Sequence, residues 1–352
     1  MNRCCVKLLP LMFLSTLPMW ATAQTYTPLA LGGLNQDIIA EATTAMTHTS
    51  TSADSNGAIA TVLFSDSFPH PSTQVGLPNN GLLSAASGGA SFTYQLAAFN
   101  GNNALLTPAG QTKTTTLAAP TALSNLSLLV FATEHSKNAT YTLTFDDGST
   151  SVQPVTVVND WYSSAAARIS GYGRVVRDND TNFTSQTNQK YFGNELKLTC
   201  AEQKKKLSSI TLQAQDITPN NLKGNVVLLA ASGVAADVDA GAISGASTLE
   251  VAQSAVLSNP IPGGRWESSG IAIATVDATT GKVTAVAPGS VTITYTLPGL
   301  CSTPARHDIT INAAPITPPA PKAVPSLSEW FVIALSCLLA TLGVSLIRRR
   351  RC

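Results

Sequence analysis

Asp160, Trp161 and Tyr162 place a carboxylate beside two rings, a set that could stack on a sugar ring while the carboxylate accepts its hydroxyls; packing in a core or at an edge is the other use of such rings. Asp178, Asn179 and Asp180 cluster hard oxygens that could hold calcium, although their spacing is not that of a helix–loop–helix calcium site and polar turn residues look the same. Beyond these the supply of reactive groups is thin. His48, His70, His135 and His307 are scattered, and none belongs to an HExxH pattern or stands beside a nucleophile motif. Gly171-Tyr172-Gly173 lacks the third glycine of a dinucleotide loop and reads as a turn beside a strand. Asp146 and Asp147 cannot act as a glycosidase pair, because neighbouring residues at a strand end point apart and the Asp147-Gly148 step serves a turn. No catalytic residue and no cofactor other than calcium is expected.

The elements that must position these residues belong to an exported chain. Residues 1–23 begin with Arg3 and Lys7, run apolar from Leu8 to Trp20 and end in Ala21-Thr22-Ala23, the pattern of a signal peptide cut by signal peptidase between Ala23 and Gln24. Export opens disulfide chemistry to the two cysteines of the body, Cys200 and Cys301. Either they pair, closing a loop of about a hundred residues worth up to roughly 4–5 kcal/mol in chain entropy, or both stay as unpaired thiols. Lys and Arg number 21 against 20 for Asp and Glu, so the formal charge is +1. A balance this even excludes a polyanion-binding field, and nucleic acid is not an expected partner. The run Lys204-Lys205-Lys206 reads as a solvated strand end or turn.

Residues 24–235 are rich in Thr, Ser, Ala, Asn and Gly, with apolar residues in strand-length runs such as "ASFTYQLAAF", "NELKLTC", "LSSITLQAQDI" and "GNVVLLAAS". Tyr141, Leu143 and Phe145 alternate ahead of Asp146-Asp147-Gly148, which predicts a hairpin. The fold class is all-β: a jelly-roll or β-sandwich first domain, followed by a smaller Ig-like sandwich over residues 240–312 and one C-terminal transmembrane helix. Residues 313–325, "AAPITPPAPKAVP", form a Pro-rich spacer about 40 Å long in extended polyproline geometry.

Several stretches of the first domain resemble a galactose-binding-type jelly roll of secreted bacterial surface proteins, among them "VLFSDSFP", "SFTYQLAAFNGNNAL", "YTLTFDDGST" and "DWYSSAAARISGYGRV". The resemblance implies the fold and a habit of binding glycan or matrix polysaccharide, without transferable ligand residues. The stretch "GGRWESSGIAIATVDATTGKVTAVAPGSVTITYTL" closely resembles the bacterial Ig-like group 2 domain, in which Trp266 is a core residue and Asp277 to Gly281 turn a hairpin. Some relatives carry a first-strand cysteine to pair with the one near the end of the domain; this chain has Leu249, Glu250 and Val251 there.

The tail, residues 324–352, runs Val324-Pro325-Ser326-Leu327-Ser328-Glu329-Trp330, then seventeen uncharged residues (331–347), then Arg348, Arg349, Arg350 and Arg351. Seventeen residues make about 26 Å of helix, read here as a membrane span whose arginines stay on the cytoplasmic side. The order of the tail closely resembles the IPTL-CTERM sorting signal of Gram-negative bacteria. That implies an inner-membrane intermediate, an exosortase-type protease as partner and transfer of the body to the cell surface. The expected function is therefore that of an exported, non-enzymatic surface protein with a β-sandwich binding module. The alternatives are a structural matrix or stalk component without a dedicated ligand, or a permanently membrane-anchored periplasmic protein.

Overall fold

The computed structural model describes residues 24–41, 52–54, 60–69, 75–177, 183–217, 224–299, 301–315 and 329–348. The expected signal peptide with Ala21 and Ala23, the pair Asp178 and Asp180, residues 324–328 of the sorting motif and Arg349 to Arg351 lie outside the described residues. The chain divides into a first unit of residues 1–240 with Thr296–Pro304 and a second of Gly241–Tyr295 with Ala305–Cys352. The segment Thr296–Pro304, read from sequence as part of the Ig-like domain, thus belongs to the first unit.

Two sheets build the first unit. At the centre of the larger, Leu123–Ala132 pairs antiparallel with Asn225–Ala235 on one side and with Phe183–Lys197 on the other. Leu126, Leu128, Val130 and Ala132 project into a core shared with Ala139, Tyr141, Leu143 and Phe145 of the strand Lys137–Phe145 and with Ile210, Leu212 and Ala214 of Leu207–Asp216. Leu129 and Phe131 point to the other face, into a second core with Phe92, Tyr94, Trp161, Tyr191 and Leu229. A strand covered on both faces must be apolar along its length, which "LSNLSLLVFA" is. Each large apolar side chain buried this way contributes about 1.5–3 kcal/mol against chain entropy. Two pairs of polar groups inside satisfy each other: the Tyr94 and Ser127 hydroxyls lie 2.7 Å apart, and Asn194 donates to the Tyr141 hydroxyl at 2.9 Å.

The hairpin read at Asp146-Asp147-Gly148 is present. Thr144 faces Thr150 across it, Gly148 adopts φ 78°, and the Asp147 carboxylate accepts from the Ser149 amide at 2.9 Å. Lys205, from the basic run, completes this turn with an ion pair to Asp147 at 3.0 Å.

The second unit is a small sandwich. Thr248–Glu250, Ala305–Asn312, Gly289–Thr296 and Arg265–Ser268 form one sheet; Ser254–Val256, Lys282–Ala285 and Ala274–Val276 form the other. Trp266 is buried against Tyr295, ring centroids 4.5 Å apart. The Tyr295 hydroxyl donates to the Ile261 carbonyl at 2.7 Å and accepts from the Gly264 amide at 2.8 Å. Asp277 accepts from the Thr279 and Thr280 amides and Gly281 takes φ 72°, so the hairpin falls where its turn residues place it.

The tail requires a correction. Glu329–Arg348 is helical, yet among the described residues no helix is long and apolar enough to cross a membrane. The uncharged stretch of about 26 Å falls short of a hydrocarbon core of roughly 30 Å, and Glu329 and Arg348 close the helix at its two ends.

Candidate functional site

A cavity of about 370 Å³ opens in the first unit, lined by Asp54, Glu134, His135, Asp160, Trp161, Tyr162 and Arg174. It forms where the central strand Leu123–Ala132 ends. Past Thr133 the chain must reverse into Lys137–Phe145, and it does so with Glu134 at φ 52° and His135 at φ 79°. Left-handed backbone at residues with a Cβ costs about 1–2 kcal/mol each, so the surroundings must impose it. Lys137, 1% exposed, supplies the restraint: its ammonium donates to the Glu134 carbonyl at 2.6 Å and the His135 carbonyl at 3.1 Å, and pairs with Asp216 at 3.2 Å. Two carbonyls accept from the ammonium and the Asp216 carboxylate balances its charge, which offsets the cost of burying it.

The second wall is the loop from Asn159 to Tyr162. Ala132 donates to the Asn159 carbonyl and accepts from the Trp161 amide, so the loop continues the edge of the central strand. The Asp160 carboxylate then ties the two walls together. One oxygen accepts from the Tyr162 amide and the other from the His135 amide, each at 2.8 Å. Burial nevertheless pushes its pKa up, a cost that the His135 amide partly offsets.

Arg174 forms the floor. Its strand Ile169–Arg177 slips register against Phe183–Lys197 between Ser170 and Tyr172 and again between Tyr172 and Arg174. Such bulges re-aim side chains. Gly171, at φ 97°, sits at the first of them, so Gly171-Tyr172-Gly173 is an irregular part of a strand and not the turn beside one that its composition suggests. The Arg174 guanidinium lies 4.4 Å from the Trp161 ring centroid and 4.5 Å from that of Tyr162, and 3.5 Å from an Asp54 oxygen. Burial pushes the Arg174 pKa down while Asp54 and Asp160 pull it back; burial likewise pushes Asp54 up. The chain has thus placed three carboxylates, one guanidinium and one imidazole around a recess in which charge is costly.

Asp160, Trp161 and Tyr162 all line the cavity, but the two rings divide. Trp161 is 1% exposed and stacks on Phe131 at 4.9 Å, whereas Tyr162 is 53% exposed. The expectation of a two-ring ligand face is corrected to one exposed ring, Tyr162, which Arg174 also contacts, beside a core tryptophan. Among the described residues no group of three or more His, Cys, Asp or Glu side chains is placed to hold a metal ion. Cys200 and Cys301 are bonded, their Cα atoms 5.0 Å apart.

Sequence reasoning missed Asp54, Glu134, His135, Lys137 and Arg174. Arg174 carried a readable signal, a cation in the interior of the strand "ISGYGRVVR", away from its ends. The turn after the long apolar run ending at Ala132 was a second.

Residues 246–298 match the family of the bacterial Ig-like domain (group 2), and residues 322–351 match the IPTL-CTERM motif. No curated protein matches this chain. Among solved structures it is similar, at 8% identity and TM-score 0.17, to the M60 catalytic domain with the CBM51-1 and CBM51-2 domains from Clostridium perfringens ZmpB, over 66% of this chain and 20% of that one. A second similarity, at 9% identity and TM-score 0.17, is to the Spr0440 glycoside hydrolase domain, Endo-D, from Streptococcus pneumoniae R6, over 65% of this chain and 35% of that one. The chain is an all-β protein in which residues 246–298 match a bacterial Ig-like group 2 domain and residues 322–351 an IPTL-CTERM motif, matches that support export to the cell surface.

Proposed function

We propose that the first unit is a non-enzymatic binding module that takes a polar, hydroxyl-bearing ligand, a glycan or matrix polysaccharide, in the Arg174 cavity, and that an exosortase-type protease removes the tail. The observation that carries the binding reading is the cavity itself. Buried charge and left-handed backbone both cost stability, and here both are gathered around one recess and held by Lys137 and Asp160. Strained backbone held by its surroundings clusters at functional sites, which supports this reading. Tyr162 offers a ring to stack on and the carboxylates offer acceptors for hydroxyls.

A glycan array probed with the exported body, with and without calcium, tests this. Retention is expected on the wild type and lost on Tyr162→Ala, which leaves the core intact because that ring is half exposed. An unretained wild type would leave the stalk reading in its place. A calcium requirement would point to Asp178 and Asp180. Mass spectrometry of the mature protein tests the tail: its C-terminus is expected upstream of Arg348, and an intact tail on surface-localised protein would refute removal.

One observation favours a hydrolytic reading: burial raises both Asp54 and Asp160, and raised carboxylates suit a general acid. Against it, Asp54 pairs with Arg174, and both Asp160 oxygens already accept backbone amides. Polysaccharide turnover abolished by Asp160→Asn would decide for the enzyme.

A further inference from the structure

We propose that the Cys200–Cys301 disulfide is a mechanical bypass, which carries tension from the tail directly into the first unit and keeps the Ig-like strands between them out of the path of force. The inference rests on covalent connectivity. The bridge joins residues 101 apart in sequence. Inside that loop lie Leu207–Asp216 and Asn225–Ala235 of the first unit and the strands of the second unit from Thr248–Glu250 to Gly289–Thr296. A pull on the chain beyond Asn312 travels back along Ala305–Asn312 and reaches Cys301. There the backbone path through residues 300 to 201 is shorted by one covalent bond. Whatever lies inside the loop cannot be drawn out while that bond holds.

Both ends of the bypass are built to take the pull. Cys200 opens the short helix Cys200–Gln203, directly after the strand Phe183–Lys197 that pairs with the central strand of the large sheet. Thr199 and Glu202 cap that helix reciprocally: the Thr199 amide donates to the Glu202 carboxylate at 2.6 Å, and the Thr199 hydroxyl accepts from the Glu202 amide. Cys301 lies in Thr296–Pro304, the segment that belongs to the first unit although it links two strands of the second. Its amide donates to Asp237 at 2.9 Å, the Thr303 amide to Asp239 at 2.7 Å, and the Ala240 amide to the Thr303 carbonyl at 3.0 Å. The chain entering the second unit is thereby fastened beside the chain leaving it.

One strand of the second unit stays on the path. Ala305–Asn312 is paired along its length with Gly289–Thr296, from Ala305 opposite Tyr295 to Ile311 opposite Gly289, and also with Thr248–Glu250. Detaching it would open the small sandwich but lengthen the chain by no more than its own extent. For a protein held to a surface by its C-terminal end, tension between anchor and first unit passes through the unit nearest the anchor, and the bypass limits how far that unit can pay out. This use rests on the surface reading above, whereas the bypass itself is a property of the isolated chain.

Single-molecule force spectroscopy on the whole chain, held at Gln24 and at its C-terminal end, tests it. Fully extended, the oxidised chain is expected to be shorter than the reduced one by about 340 Å, from 101 residues at roughly 3.4 Å each. The unfolding step of residues 241–295 is expected only after reductant is added to the same molecule, or in Cys200→Ser with Cys301→Ser. Adding reductant to the wild type during the pull avoids dependence on a variant that fails to fold. Equal lengths in both states, or an Ig-like step in the oxidised chain, would overturn the bypass. Tail retention in the host would refute the processing reading while leaving this measurement untouched, so the two can fail separately.

Discussion

The two units solve the same packing problem with different materials. Among the described residues every buried polar or charged side chain belongs to the first unit, including Lys137, Arg174, Asn194 and Asn225, while the interior of the second is built from Leu249, Leu257, Trp266, Val283, Val291, Ile293, Tyr295, Ile309 and Ile311. An apolar interior asks only for shape, and the second unit obtains a stable sandwich from a few short strands. Buried polar groups ask for partners in fixed positions and are worse than an apolar core when half satisfied. A chain that keeps them in one unit and not in the other marks the first as the place where something beyond stability is held.

Lys137→Met should separate the units most sharply. It removes the ammonium from the Glu134 and His135 carbonyls and from Asp216. Breaking a buried pair in this way costs on the order of 3 kcal/mol. Hydrogen exchange under native conditions should show protection lost across the first unit and unchanged in residues 246–298. Uniform loss across both units would show that the first unit's polar network does not stand apart.

Gly264→Ala is the complementary break. An added Cβ would overlap the Tyr295 ring, which Trp266 holds from moving aside. Overpacking of this kind costs about 1–3 kcal/mol. Here the loss should appear in the second unit, with ligand retention by the first unaltered. A change in retention would mean that the second unit contributes to binding.

The smallest effect is in pH dependence, and its sign differs between the units. Burial raises Asp54 and Asp160 above the ordinary aspartate value of 3.8, so the folded first unit takes up protons that the unfolded chain does not. Its stability should therefore rise as pH falls from neutral through those raised values towards about 3.8. Asp147 acts in the opposite direction. Held at about 2 by the Ser149 hydroxyl and amide and by Lys205, it contributes stability that is complete above 3.8 and lost as pH falls towards 2. In the second unit Asp277 is lowered by the Thr280 and Thr279 amides and the Thr280 hydroxyl, so that unit gains nothing on acidification and loses stability below 3.8. Urea midpoints followed separately for each unit between pH 7 and pH 4 should diverge. Asp160→Asn should flatten the first unit's rise, and a rise that persists unchanged would remove Asp160 from the account.

The second unit was the more legible in sequence, because its determinants are local. Asp277 through Gly281 makes a turn wherever it is placed, and Val291, Ile293 and Tyr295 alternate as a half-buried strand must. The Asp147-Gly148 hairpin was legible for the same reason. The cavity was not. Its residues come from four separate parts of the chain, around 54, 134, 160 and 174, and none of these parts carries a motif. Trp161 and Tyr162 show the limit within two adjacent residues: both are aromatic and equally suited to a ligand, and only the stack on Phe131 sends one of them to the core.

By itself the sequence determined the all-β class, both hairpins, the Ig-like domain and the sorting motif, because strand alternation, turn chemistry and short linear signals are written in neighbouring residues. Tertiary structure alone decided that Cys200 meets Cys301, that Thr296–Pro304 belongs to the first unit and that Arg174 faces Asp54. Those are pairings across some hundred residues, and their free energy comes from surfaces that do not exist until the sheets have closed.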